Sequence, residues 1–312
     1  MTMLDNMTEV NYCYSVLMTV YAREKPAYFE QAIRSMLFQT DRTDDFVIVC
    51  DGPLTPQLDA VISHYTQMEP ELFHIIRCEE NLGSGTASRM GLLACKNELI
   101  VRMDSDDIAV SDRARVLLDA FRREPELAAV GGQMAEFVHD PAQVIGYRIL
   151  PTEPEELRRY AASRSPLNNI TVMLRKSAAI AVGNYSDIRT REDYELWIRL
   201  LGNGYRIRNL DRVLAYARVG EDMYERRRGL EYSKYTVYTE KVLLEFGFIN
   251  RLEYCFSLCA RFVASVLLPK KLSYWLFRRF MRKSSIPQDL TVEAGGISPE
   301  VFGGAFTDAR TV

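Results

Sequence analysis

Leu99-Ile100-Val101-Arg102-Met103-Asp104-Ser105-Asp106-Asp107 runs from an apolar strand directly into three carboxylates within four residues. Charge of one sign packed so tightly at a strand end is costly unless a cation sits there. A divalent ion bridging the carboxylates to a diphosphate would relieve the repulsion, and Mg2+ and Mn2+ favour such oxygen ligands. The plain structural alternative is a solvated Asp-rich turn that opens the next helix, capped by Ser111 or Asp112.

Working outward, the run is the fourth of a series. Tyr14-Ser15-Val16-Leu17-Met18-Thr19-Val20 predicts a buried first strand. Phe46 to Cys50 predicts a second, ended by the turn Asp51-Gly52-Pro53, and Leu72 to Ile76 a third. Helical spacing follows Pro26 and recurs over 58–65 and 83–95. Such alternation predicts an α/β fold, a mostly parallel sheet flanked by helices on both faces. Ligands then bind at the carboxyl ends of strands, where Thr19, Asp51 and Asp104 stand.

Beyond Arg113 the rhythm loosens. A helix is expected to about Arg123, strands over 128–132, 144–150 and 213–219, and helices over 153–163 and 192–201. Residues 168–174 read as extended. From Glu221 the character changes to long helices, 224–246 and then 251–283, the second split at Pro269. The expected organisation is an α/β domain over 1–220, a helical basic-aromatic region over 221–283 and a flexible tail over 284–312.

Composition narrows the class. The chain has 312 residues, 47% hydrophobic and 26% charged, an ordinary soluble globular balance. A net charge of −3 gives no global pull toward nucleic acid. Six cysteines without a CxxC pair read as reduced, buried thiols of a cytoplasmic protein, and three scattered His argue against zinc. Residues 1–11 lack the pattern of a secretory signal, and the apolar stretch 255–268, interrupted by Arg261, is short for a bilayer span.

Four features sit where a nucleotide-sugar site needs them, each with a plain structural counterpart. Thr19 and Tyr21 at the exit of the first strand can meet a base or ribose, or merely end a strand. Asp51 can accept from a pyrimidine N–H or a ribose hydroxyl, or serve an Asx turn. Asn81-Leu82-Gly83-Ser84-Gly85 with Arg89 can approach phosphate at a helix N-terminus, or simply cap that helix. Arg191-Glu192-Asp193 can supply a general base for a sugar hydroxyl, or complement a helix dipole. The G-x-G-x-x-G fingerprint of dinucleotide binding is absent.

Taken together, the chain resembles the family 2 glycosyltransferases, inverting metal-dependent enzymes with the GT-A fold. The resemblance rests on residues 15–21, on 32–40 ending in Gln39-Thr40, on Asn81-Leu82-Gly83 with Arg89, and on Met103-Asp104-Ser105-Asp106-Asp107. It continues through Asn168 to Met173, Gly183-Asn184-Tyr185 and Glu192 to Trp197, covering about 12–220. Enzymes of bacterial capsule, exopolysaccharide and O-antigen synthesis look most similar. The resemblance implies that Thr19, Tyr21 and Asp51 hold the uridine of a UDP-sugar. It implies that Asp104 approaches ribose or metal, that Asp106 binds Mn2+ or Mg2+, and that Asp107 supports them. Asp193 matches the catalytic base, Glu192 shapes the acceptor side and Arg89 faces the nucleotide or phosphates. The implied acceptor is a hydroxyl of a glycan or of an undecaprenyl-diphosphate-linked oligosaccharide. Three departures stand out: Cys50-Asp51-Gly52-Pro53 replaces the usual two Asp with Gly-Ser, Asn169 stands where His is common, and the QxxRW pattern of processive synthases is missing. A single-addition transferase therefore fits better than a polymerase.

Two rivals stay open at this stage: a sugar nucleotidyltransferase, although 21–26 lacks the expected glycines, and a non-catalytic sugar-nucleotide-binding assembly subunit. The C-terminal helices read two ways. Their Arg and Lys beside Trp, Tyr and Phe suit peripheral contact with the inner face of a cell membrane. Equally, their apolar faces suit packing on the catalytic domain or on a second copy in a homo-oligomer.

Overall fold

The structure, a computed structural model, describes residues 13–220, 229–262 and 296–302. Strands β1 (Tyr14–Val20), β2 (Asp45–Cys50), β3 (Phe73–Arg77) and β4 (Leu99–Asp104) lie parallel in the order β3-β2-β1-β4. Helices α1 (Pro26–Leu37), α2 (Pro56–Met68) and α3 (Ser84–Ala94) make the crossovers. Next come β5 (Ile108–Ala109), α4 (Arg113–Arg123), β6 (Leu127–Phe137), β7 (Gly146–Arg148), α5 (Pro154–Ala161), a 3-10 turn at Asn169–Thr171, β8 (Met173–Arg175) and α6 (Lys176–Ala181). They are followed by α7 (Glu192–Gly202), β9 (Arg206–Arg218), α8 (Gly229–Glu245) and α9 (Arg251–Phe262). The sheet continues β4-β8-β6-β9-β5, with β8 antiparallel to β4 and β6, and β6 parallel to β9.

Strand alternation sorts the side chains. Val16, Met18 and Val20 of β1 and Leu99, Val101 and Met103 of β4 pack with Phe29 and Ile33 of α1 and Leu117 and Phe121 of α4. Leu17 and Ile100 face the other way, against Ala87 and Leu92 of α3 and Trp197 and Leu200 of α7. A Cβ on Gly91 would lie 2.2 Å from Leu17 Cδ1, so this glycine lets α3 settle directly on the sheet. Arg102 and Asp104 share the parity of Ile100. Both therefore point toward the α3/α7 side, where the start of α7 carries Glu192 and Asp193.

Several expectations are corrected. β6 and β9 run well past the predicted limits of 128–132 and 213–219. Gln133 breaks the apolar pattern of β6, yet it is buried and satisfied: its amide donates to the carbonyls of Leu150 and Leu210 and accepts from the Leu150 N–H at 2.7 Å. Only tertiary contacts provide those partners. Residues 144–150 contribute just the short β7, and 168–174 is a 3-10 turn followed by β8. Asp112 stands at the start of α4 but makes no capping bond; its carboxylate pairs with Arg212 at 2.6 Å.

Cys50 and Cys95 are buried as expected, whereas Cys13, Cys255 and Cys259 are exposed. Cys13 precedes β1, and the other two lie on a face of α9 turned away from the body. Within the expected flexible tail, 296–302 is docked. Gly296 O accepts from the Ser111 N–H, Glu300 O accepts from Arg34 Nε at 2.7 Å, and Val301 is buried with Ile108 and Phe137. The predicted split at Pro269 lies outside the described residues. For α8 the packing reading holds: Val242 and Leu243 join Tyr194, Ile198 and Ala161 in one apolar cluster. No helix among the described residues is long and apolar enough to cross a membrane.

Candidate active site

At the carboxyl ends of β1, β2 and β4 the sheet opens into a cleft of about 740 Å³. Thr19, Tyr21, Asp51, Asp104, Asp106, Glu192 and Asp193 all line it, so residues spread over most of the domain converge. Arg89 does not: it is exposed on α3 and outside the lining. Loop 186–190 occupies the first turn of that helix instead. Gly85 N–H donates to Ile188 O at 3.2 Å, Ser84 Oγ donates to Arg189 O at 3.0 Å, and Thr86 Oγ1 donates to Asp187 at 2.6 Å. A Cβ on Gly85 would meet Ser186 O at 2.2 Å. The glycine expected to admit a phosphate admits protein backbone, and that loop carries the chain into α7.

Asp51 is buried, and its carboxylate is largely occupied. Leu82 N–H donates to it at 2.7 Å, Gly83 N–H at 3.1 Å and Asn81 Nδ2 at 2.9 Å. It pins the 81–83 loop beside the cleft, and Arg189 in turn donates to Asn81 Oδ1 at 2.8 Å.

The acidic turn is crowded. Burial, then the charges of Asp106 and Asp104, hold the Asp107 carboxyl well above the usual carboxylate range, against the pull of Arg218. Asp107 Oδ1 accepts from the Arg218 backbone N–H at 2.7 Å, and the Arg218 guanidinium donates to Asp106 O at 3.1 Å while lying over the Tyr28 ring. Asp104 is flanked by Arg102 Nη2 at 3.7 Å and by Asn169 Nδ2, which donates at 3.4 Å. The amide oxygen of Asn169 is buried without a hydrogen-bond partner, a further hard oxygen beside these carboxylates. Such a donor set fits Mg2+ or Mn2+, which are held by one or two carboxylates and complete their shell with phosphate and water. Among the described residues no three His, Cys, Asp or Glu side chains form a closed cage.

Opposite stands the N-terminus of α7. Arg191 precedes it at φ +67°, a left-handed conformation costly for a side chain of this size and typical of sites held by their surroundings. Arg191 Nη1 donates to Thr236 Oγ1 of α8 at 3.1 Å, and Tyr235 of α8 lines the cleft. Behind, Glu195 is buried and paired with Arg199, whose Nε and Nη2 each donate to it at 2.6 Å. Ser186 Oγ joins that carboxylate at 2.6 Å, which fixes the helix start to the preceding loop.

Burial and the neighbouring Asp193 push the Glu192 carboxyl up to about 7, against the opposing hydrogen bond from Ser84 and the charge of Arg102. A carboxyl raised in the folded state takes up a proton on folding. Its stabilising contribution is complete below its unfolded value near 4.5 and is lost as pH rises through about 7. Glu192→Gln should therefore flatten the pH dependence of the melting temperature between pH 5 and 8. Parallel curves for the two proteins would remove this account.

Among the described residues five arginines also line the cleft: Arg102, Arg148, Arg189, Arg191 and Arg218. Sequence reasoning quoted Arg191 beside Glu192-Asp193 but gave none of the five a role of its own. Arg102 alone left a legible mark, a charge inside a strand otherwise apolar. It is 2% exposed and lies over the Tyr185 ring. Arg189 and Arg191 stand two residues apart just before the acid pair, and Arg148 and Arg218 come from distant elements.

The glycosyl transferase family 2 model matches residues 15–188. The chain belongs to glycosyl transferase family 2. An uncharacterized glycosyltransferase of Haemophilus influenzae is 37% identical over 86% of this chain and 99% of its own length. The amylovoran biosynthesis glycosyltransferase AmsE of Erwinia amylovora is 34% identical over 76% of this chain and 89% of that protein. The UDP-Gal:alpha-D-GlcNAc-diphosphoundecaprenol beta-1,3-galactosyltransferase of Escherichia coli is 27% identical over 86% and 97%. S. aureus TarS in complex with UDP-GlcNAc superposes with a TM-score of 0.59 at 18% identity, covering 81% of this chain and 73% of that one. The Pyrobaculum calidifontis mannosyltransferase bound to GDP-Man and Mn2+ gives 0.57 at 14%, covering 85% and 80%. The fold is therefore GT-A, and this family 2 protein is a glycosyltransferase. The nucleotidyltransferase and the non-catalytic subunit are set aside.

Proposed function

We propose that this family 2 glycosyltransferase moves one sugar from a UDP-sugar to a hydroxyl of a glycan or undecaprenyl-diphosphate-linked acceptor, with inversion, in bacterial surface polysaccharide assembly. The observation that carries this reading is one cleft with Asp104 and Asp106 at the strand ends and Asp193 at the start of α7. The E. coli relative's name supports a UDP-hexose donor and a lipid-linked acceptor, and UDP-GlcNAc in TarS supports the nucleotide. The acceptor class implies work at the cytoplasmic face of the membrane.

Thr19 and Tyr21 meet the uridine, and Asp51 holds the 81–83 loop that borders it. Asp104 and Asp106 would hold Mn2+ or Mg2+, which when bound supplies positive charge for the departing diphosphate. Arg218, tied to Asp106 and Asp107, adds a fixed cation on the same side. Asp193 takes the proton of the attacking hydroxyl, whose own acidity is far too low for attack at neutral pH. Glu192, holding a proton up to about pH 7, keeps a second negative charge away from that base and shapes the acceptor side. Attack opposite the leaving group turns an α-linked donor into a β-linked product.

A donor panel scored by nucleoside diphosphate release is the test. UDP-hexoses should be turned over with Mn2+ or Mg2+ and not after chelation. Preference for GDP-sugars, which the archaeal structure holds, would overturn the UDP assignment. Full turnover in chelator would overturn the metal.

A further inference from the structure

The buried face of α8 changes character along its length. Thr236, Thr239, Glu240 and Leu243 stand at i, i+3, i+4 and i+7, and all four are buried. Toward the C-terminal end this face is apolar. Val242 and Leu243 pack with Tyr194, Ile198 and Ala161, and a Cβ on Gly202 of α7 would lie 2.2 Å from Phe246 Cδ1. Those contacts seat the helix. Toward the cleft the same face turns polar, and burying polar groups is costly unless each finds a partner. A face that served packing alone would carry apolar residues there.

The polar groups find partners in different places. Thr239 Oγ1 donates to Tyr235 O of its own helix at 3.0 Å. Glu240 pairs with Arg261 of α9 at 2.7 Å, and Arg261 also donates to Ser163 O at 2.8 Å. Thr236 reaches the site itself: its Oγ1 accepts from Arg191 Nη1 at 3.1 Å.

Arg191 is where such a contact has leverage. A left-handed φ of +67° is costly for a residue with a Cβ, so the backbone stays there only while its surroundings hold it. Arg191 O accepts the Glu195 N–H at 3.0 Å, the first bond of α7. The dihedrals at 191 therefore set the direction in which Glu192 and Asp193 enter the cleft. The Arg191 guanidinium carbon also lies 5.2 Å from the centre of the Tyr194 ring, and that ring shares its apolar cluster with Val242 and Leu243 of α8.

We propose that Thr236 is a positioning residue: from α8 it holds Arg191 in its left-handed conformation, and so fixes the start of α7 and the placement of Glu192 and Asp193. The helix beyond the α/β body then completes the active site, lending Tyr235 to its lining and Thr236 to its frame. The mechanical part of this does not depend on the reaction. Its catalytic consequence rests on Asp193 as the base proposed above.

Hydrogen exchange on the full chain, without substrate, tests the mechanical part. Thr236→Val keeps the branched shape and removes the hydroxyl, and Arg191, at the open cleft, can take water in its place, so the melting temperature should barely move. Amides 195–197, which close the first turn of α7, should exchange about tenfold faster than in wild type, with 199–201 unchanged. Thr236→Ser keeps the hydroxyl and should restore their protection. With a matched donor and acceptor, Thr236→Val should lower kcat about tenfold while UDP affinity stays within about twofold, and Thr236→Ser should recover the rate. In an Arg191→Gly background, where glycine adopts the left-handed φ freely and the guanidinium is gone, Thr236→Val should add no further loss. Unchanged exchange at 195–197 in Thr236→Val overturns the proposal, whatever the reaction proves to be. Faster exchange with full turnover overturns the link to catalysis, and an undiminished further loss in the Arg191→Gly background overturns the route through Arg191. Asp193→Asn in the same assay is read separately: full turnover there removes the proposed base and leaves the exchange result standing.

Discussion

Asp193→Asn is expected to cut turnover by about 10³-fold or more while UDP affinity in the presence of Mn2+ stays within about twofold of wild type. Positioned general bases contribute roughly 10²–10⁴-fold, and here the geometry favours the upper part of that range. The start of α7 is braced by the Glu195–Arg199 pair and by loop 186–190, which is hydrogen-bonded to the first turn of α3. A carboxamide of the same shape keeps that frame and loses only the capacity to take a proton. Steady-state rates with a matched donor, alongside calorimetric UDP titration, separate the two quantities. Undiminished turnover would remove Asp193 as the base. A joint loss of rate and UDP affinity would instead assign it to donor binding.

Asp106→Ala should act on the other half of the site. Metal-dependent UDP affinity should fall about 100-fold, roughly 2.7 kcal/mol, and the difference between Mn2+ and chelator should largely vanish. The substitution also relieves crowding, because Asp106 is, after burial, the leading charge that raises the Asp107 carboxyl above its ordinary range. The variant should therefore melt no lower than wild type in the absence of metal. Titration of UDP with and without Mn2+, beside thermal melts, distinguishes a lost ligand from a damaged fold. Equal metal dependence in both proteins would mean that the cation is held elsewhere.

Where the strands are short apolar runs, the sequence was easy to read. β1 to β4 are short apolar runs, and their expected and observed limits agree within a residue. Such runs need only burial, and burial is written in side-chain type. β6 and β9 were under-read because polar residues interrupt them, although β6 is buried throughout. Gln133 and Arg206 to Asp211 look like breaks until the carbonyls of Leu150 and Leu210 are seen to receive the Gln133 amide. The docking of 296–302 was equally invisible, since one apolar residue, Val301, finds Ile108 and Phe137 only across a distant part of the chain.

At the site, the carboxylates were legible and the cations were not. Asp104, Asp106, Glu192 and Asp193 stand in compact clusters at element ends, where local charge density marks them. Arg148 and Arg218 come from β7 and the end of β9, and no spacing relates them to each other or to Arg189 and Arg191 beside the acid pair. Arg89 shows the converse: a cation well placed along the sequence is turned outward once loop 186–190 covers the start of its helix.

The sequence by itself determined the parallel βα core, the acidic turn after β4 and the acid pair before Trp197, because strand burial and charge clustering are local properties of neighbouring residues. Tertiary structure alone decided which arginines join those acids, that Asp51 is committed to the 81–83 backbone, and that one face of α9 is left uncovered. Each of these depends on hydrogen bonds and packing between segments up to a hundred or more residues apart, and side-chain chemistry read along the chain carries no record of which distant partner it will meet.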